Sequence, residues 1–116
     1  MTDRLVRYSG KFFEDVAQAT QWYDQQRFGL GQQFLDALND KRSSIKRSPE
    51  SYAIFDRSIR ICMLRRFPYG IFFRCSSEEI CFLGVLHLHR ECDFAQSQMR
   101  QRDENTDDVS SPNNLD

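Results

Sequence analysis

Residues 57–91, RSIRICMLRRFPYGIFFRCSSEEICFLGVLHLHRE, decide how the rest of the chain is read. Two apolar runs, Ile59–Phe67 and Gly70–Cys75, meet at Pro68-Tyr69. The polar turn Ser76–Glu79 leads into a third run, Ile80–Leu88. Apolar runs of this length, bounded by turn residues, predict an antiparallel meander. Arg60, Arg65, Arg66 and Arg74 interrupt it and set guanidinium groups at its face and ends. Such groups suit a carboxylate or another anion, which they grip with paired N–H donors. Arg65 and Arg66 are adjacent, so strand alternation predicts opposite faces for them, one within reach of a helix acid such as Glu14 or Asp15.

The third run sets a packing problem. Strict alternation puts Ile80, Phe82, Leu86 and Leu88 on one face and Cys81, Leu83 and Val85 on the other, with His87 beside Leu83 and Val85 at the core edge. A strand that is apolar on both sides needs cover on both sides. A helical hairpin upstream supplies one cover. For the other the chain offers only Glu91–Met99, with Phe94, Ala95 and Met99 as its apolar members. Either that short helix closes the face unaided or a partner's segment does, and the shortage of apolar residues points to the partner. Phe94 and Met99 are then candidates for the partner-binding edge.

Upstream, Leu5–Tyr8 is a short strand and Ser9 can cap the helix after it. Phe12, Val16, Ala19 and Tyr23 fall at helical spacing from Lys11 to Gln26, with Phe13, Ala17 and Trp22 widening the stripe. Gly29-Leu30-Gly31 punctuates the chain. A second helix runs from about Leu30 to Arg47, with Phe34, Leu35, Leu38 and Ile45 inward, and Ser48-Pro49 stops it. Two helices joined by a short glycine-bearing turn make an αα-hairpin. Glu50–Ser58 reads as a loop whose Tyr52 and Phe55 plug the sheet edge. The expected fold is α+β: an N-terminal strand, an αα-hairpin packed on a small antiparallel sheet, and a short C-terminal helix.

A chain of 116 residues is one small domain. The net charge of −1 hides a division. All sixteen Lys and Arg lie within residues 1–102 against twelve acids, while residues 103–116 hold five acids and no base. We expect a mildly basic domain over residues 1–100 and an acidic flexible tail over residues 101–116. A surplus of this size is weak evidence of nucleic-acid binding by itself. Cys62, Cys75, Cys81 and Cys92 lack CxxC spacing and read as core filler, His89 lies beyond the last apolar run and reads as exposed, and these residues with His87 are not expected to bind metal. Met1–Arg7 lacks the apolar continuation of a secretory signal, no run is long enough to cross a membrane, and no glycine-rich phosphate loop appears. A cytoplasmic protein without cofactor or metal is the expectation.

The order strand, helical hairpin, meander resembles the RelE/ParE superfamily of type II toxin–antitoxin toxins, or plasmid stabilisation proteins. The resemblance spans roughly residues 5–92. Glu14-Asp15, Ala19, Trp22-Tyr23, Gly29-Leu30-Gly31 with Phe34, and Pro49 with Tyr52 carry its first half. Arg65-Arg66-Phe67-Pro68-Tyr69-Gly70-Ile71-Phe72-Phe73-Arg74, Val85-Leu86-His87 and Arg90-Glu91 carry its second. The ending His87-Leu88-His89-Arg90-Glu91 departs mildly from the family's His followed by Arg-Arg or Arg-Asp. The resemblance implies a growth-inhibiting toxin neutralised by a cognate antitoxin. Within the family, a ParE-like toxin inhibits DNA gyrase by binding, whereas a RelE-like toxin cleaves mRNA on the ribosome. Cleavage needs an activated 2′-hydroxyl, a neutralised phosphate and a protonated leaving oxygen. The positions where RelE-like nucleases carry strand bases, an arginine and a tyrosine align here near Ile61, Met63, Gly70 and Gln96. Only Arg90 keeps its place, with His87 or His89 as substitutes for acid or base. The resemblance therefore implies the ParE-like, non-nuclease sort, with Arg65, Arg66, Arg74 and Arg90 as candidates for contacting target or antitoxin. A scaffold that binds an antitoxin-like protein and poisons nothing is the third reading.

Overall fold

Ser9 begins the helical hairpin as its position predicts. In a computed structural model, which describes residues 4–105 and 108–110, the Ser9 Oγ accepts from the Lys11 amide at 3.2 Å. It ends strand β1 (Leu5–Ser9) and caps α1 (Gly10–Gln26). Gly29, at φ 88°, then turns the chain through a left-handed conformation that side chains resist, and α2 (Leu30–Arg47) returns. Gly31 lets the helices approach closely: a Cβ there would lie 2.7 Å from both the Thr20 carbonyl and the Asp24 carboxylate.

A 3₁₀ turn at Pro49–Ser51 leads into β2 (Ala53–Asp56), β3 (Ile59–Met63), β4 (Tyr69–Cys75) and β5 (Glu79–His87). These four strands form the expected antiparallel meander. The stretch read as a loop over 50–58 thus contains a strand, with Phe55 and Tyr52 each packed against the core. β1 joins the meander parallel to β5, Val6 opposite Ile80 and Tyr8 opposite Phe82. Helix α3 (Cys92–Asn105) and β6 (Asp108–Ser110) come last, giving the sheet order β2-β3-β4-β5-β1-β6.

The hairpin covers one sheet face with aromatic rings. Tyr8, Phe12 and Phe82 meet at centroid distances of 5.1–5.7 Å, and Phe34 sits 5.4 Å from both Tyr23 and Phe67. Each such pair contributes roughly 0.5–1.5 kcal/mol beyond simple burial.

The other face is covered by the chain itself, which corrects the expectation of a face left for a partner. α3 seats Ala95 and Met99 on Ile59, Phe72, Cys81, Leu83 and Leu86. Met99 is fully buried, so it serves the core and not a partner-binding edge. Two apolar side chains are a thin anchor for a 14-residue helix. Ion pairs complete it. Arg100 grips Asp56 through two bonds of 2.5 and 2.8 Å, Arg102 donates to Asp15 at 2.6 and 3.3 Å, and Asp103 accepts from Arg74 at 2.5 Å. The ordered helix therefore runs through residue 105, past the expected boundary at 100, and β6 pairs with β1 beyond it. Residues 106–107 and 111–116 of the expected tail lie outside the described residues.

Strict alternation also fails along β5. The register shifts between Phe72 and Phe73, which pair with Gly84 and Phe82 and leave Leu83 as the extra residue. A bulge of this kind re-aims every side chain after it. Val85 joins Phe82 on the hairpin side, while Leu86 joins Leu83 under α3. Gly84 makes room for the helix clamp, since a Cβ there would sit 2.0 Å from Arg102 and 2.8 Å from Asp15.

Candidate functional site

One end of the sheet meets the hairpin turn at one end of the molecule. Met63 pairs with Gly70 and Tyr69 with His87, so the end of β3, the start of β4 and the end of β5 lie side by side. The end of α1 and start of α2 reach the same place, because Tyr23 packs 4.9 Å from Phe67 and 5.9 Å from Tyr69.

At this end Arg90 is exposed and held by neutral groups. Its Nη2 donates to the Tyr69 hydroxyl at 2.9 Å, and its guanidinium carbon lies 5.1 Å from the centre of the Trp22 ring. Beneath it is a hollow of about 340 Å³, lined by Asp15, Gln18, Trp22, Tyr69, Arg90 and Glu91 among others. Burial pushes the Tyr69 phenol above its ordinary pKa, so it stays protonated at neutral pH. Burial also pushes Asp15 upward, against the opposing pull of Arg102.

His87 is spent on structure. Its Nδ1 accepts the amides of His89 at 3.2 Å and Arg90 at 3.0 Å, closing the turn after β5. The neutral ring then carries its proton on Nε2, and burial, reinforced by the neighbouring Arg90 charge, lowers its pKa. An imidazole whose acceptor nitrogen is already engaged is a poor general base.

The structure separates the other expected site residues. Arg65 and Arg66 do not alternate across a strand: β3 ends at Met63, and both arginines stand exposed in the turn before Pro68. Proline disfavours helix at the preceding residue, and the turn closes with the Leu64 amide on the Tyr69 carbonyl at 2.9 Å. Neither arginine meets Asp15, which is occupied by Arg102. Arg66 instead donates to Gln33 at 3.2 Å. Arg74 lies at the far end of β4, away from Arg65, Arg66 and Arg90, and is gripped by Asp103 and by Glu79 at 3.0 Å. Phe94 remains 60% exposed on α3. Among the described residues no three His, Cys, Asp or Glu converge as metal ligands, and no helix is long and apolar enough to cross a membrane.

Sequence reasoning missed three members of this end. Trp22, read as core, is 41% exposed because it lies about 100° around α1 from the Tyr23 position that faces inward. Phe28, 98% exposed, and Arg27 occupy the hairpin turn. An aromatic residue directly before the Gly29 turn was the available signal.

A second concavity, about 840 Å³, runs along the outer side of the hairpin. Phe13, Val16, Ala17 and Leu35 give it an apolar floor, and Gln21, Asp24, Asn39 and Arg42 are among its polar lining. Val16 and Leu35, assigned to the core by their spacing, are only half-buried because they face this groove.

No family model matches the sequence, and neither does a curated protein. Among solved structures the fold has a counterpart. A chain of the chromosomal ParDE TA system from P. aeruginosa matches with a TM-score of 0.66, at 15% identity, over 73% of this chain and 96% of that chain. At that identity the likeness is one of fold.

Proposed function

We propose that this protein is the toxin of a type II toxin–antitoxin pair and that it arrests growth by binding its target rather than by cutting RNA. The fold likeness supports the toxin class. The observation that carries the mechanism is the state of His87 and Arg90: the imidazole acceptor closes a turn, and the guanidinium rests on Trp22 and Tyr69. His87, one of the two histidines offered as a substitute base, is spent on the turn that carries the arginine keeping its nuclease-family place. The neighbouring strand positions, Ile61, Met63 and Gly70, offer neither charge nor proton. DNA gyrase is the target this reading favours, by analogy with ParE-like toxins.

A cognate antitoxin is the second partner we propose. With the sheet face closed by α3, its docking place moves to the hairpin groove, where an amphipathic helix would lay apolar residues against Phe13, Val16 and Leu35. A ribosome-dependent endoribonuclease is the competing reading, favoured by Arg90 alone. Induction of the chain in a bacterial host, with gyrase supercoiling and ribosome-loaded mRNA cleavage assayed in parallel, separates the readings. Growth arrest with lost supercoiling and intact mRNA is expected. Codon-positioned cuts abolished by Arg90→Ala would establish the nuclease instead, and induction without arrest would leave a non-toxic scaffold.

A further inference from the structure

The arginines of this molecule differ in what holds them. Away from the hairpin turn most are matched with acids, among them Arg7 with Glu79, Arg74 with Glu79 and Asp103, Arg100 with Asp56 and Arg102 with Asp15, while Arg60 donates to the carbonyls of Glu50 and Tyr52 and Arg47 to Ser44. At the hairpin end Arg27, Arg65, Arg66 and Arg90 are all exposed, and among the described residues none forms an ion pair. Arg66 and Arg90 have only the neutral acceptors Gln33 and Tyr69. Trp22 and Phe28 expose aromatic surface on the same end. Arginine beside exposed aromatic rings is the composition of a protein-binding hot spot.

We propose that this end docks an acidic segment of a partner protein, with carboxylates on Arg27, Arg65, Arg66 and Arg90 and an apolar side chain on Trp22 and Phe28. This names the target contact of the binding mechanism above and rests on that reading. Charge complementarity selects the occupant. Bidentate arginine–carboxylate contacts gain most where no internal acid already competes. A long polyanion such as RNA fits less well. Asp36 and Asp40 share a hollow with Arg65 and Arg66, and Glu91 lines the one beneath Arg90. Mixed charges of this kind repel a phosphate chain and still admit single carboxylates between them.

The test uses the full chain and three labelled probes: a peptide of Glu, Asp and Phe, the same peptide with Lys for the acids, and a single-stranded RNA. Fluorescence anisotropy is expected to show binding of the acidic peptide alone, weakening as salt rises. R65E/R66E should lower the affinity by about tenfold or more, and Arg27→Glu by a smaller factor. Arg47→Glu, an exposed arginine at the far end of α2, should leave it unchanged. Circular dichroism confirms that each variant is folded. Tighter binding of RNA, equal binding by folded R65E/R66E, or no binding of the acidic peptide overturns the proposal. Growth assays keep its fate separate from that of the toxin reading. A wild-type chain that binds the peptide without arresting growth sinks the toxin and leaves the docking face. Arrest that persists in a variant unable to bind the peptide removes this face from the target contact.

Discussion

The two faces of the sheet are covered by different physics. Under the hairpin, rings and branched side chains fill the space: Tyr8, Phe34, Phe73 and Phe82 have no exposed surface. Under α3, Met99 and Ala95 do the filling, and three arginine–carboxylate pairs hold the helix in place. Apolar packing is written locally, as periodic spacing along one helix or strand. Ion-pair cover is not, because its partners are chosen by the fold: Asp56 and Arg100 stand 44 residues apart, Asp15 and Arg102 87.

Truncating the ring-packed face should cost most. Phe73→Ala removes a fully buried ring between Tyr52 and Phe82 and should lower stability by about 3–5 kcal/mol in urea unfolding. A loss below about 1 kcal/mol would mean the hairpin face is loosely packed and the contrast between faces is false.

That asymmetry explains which features the sequence disclosed. The hairpin limits, the meander and the order of the elements were legible because Ser9, Gly29, Pro49 and Pro68 punctuate clear apolar periods. The cover on the second face was not. Arg100, Arg102 and Asp103 look like the start of a solvated acidic tail, and counting apolar residues alone leaves that face bare. The bulge at Leu83-Gly84 was hidden too, since it preserves the apolar run while exchanging the faces of the later residues. At the site, Arg65, Arg66 and Arg90 were legible as unusual charges among apolar residues. Which arginines stay unpaired depends on acids distant in sequence, so Arg74 looked equivalent to them.

The Asp15–Arg102 pair sharpens the comparison at intermediate cost. Both side chains are almost enclosed, at 12% and 11% exposure, and Asp15 also accepts the Val85 amide at 2.9 Å. Arg102→Ala leaves a buried carboxylate without its cation and should cost about 3 kcal/mol. Asp15→Leu with Arg102→Met should recover most of that loss, since hydrophobic replacement of a buried pair is often neutral. If the double variant is no better than the single, the pair is irreplaceable positioning rather than cover. α3 would then be held by geometry that apolar packing cannot reproduce.

Acid should act on the two clamps in opposite directions. Hydrogen bonds from Arg100 hold Asp56 below its ordinary value of 3.8. Its contribution is present above 3.8 and disappears as pH falls through the lower folded value. Burial holds Asp15 above 3.8. Between 3.8 and that higher value the folded chain keeps a proton that the unfolded chain releases, so lowering pH across this window favours folding. Unfolding of Asp56→Asn and Asp15→Asn as a function of pH should therefore diverge from the wild type with opposite slopes. Parallel slopes would mean the two carboxylates share one environment.

The smallest effect is expected at the hairpin end, and its smallness is the point. Arg65 is exposed and forms no ion pair among the described residues, so Arg65→Ala should change stability by no more than about 0.5 kcal/mol. Arg102→Ala removes the same kind of charge from the α3 clamp at several times that cost. A side chain whose loss the fold does not register is free to be selected for the groups it contacts outside the chain. Urea unfolding that shows Arg65→Ala as damaging as Arg102→Ala would place Arg65 among the structural arginines and erase the distinction between the two groups.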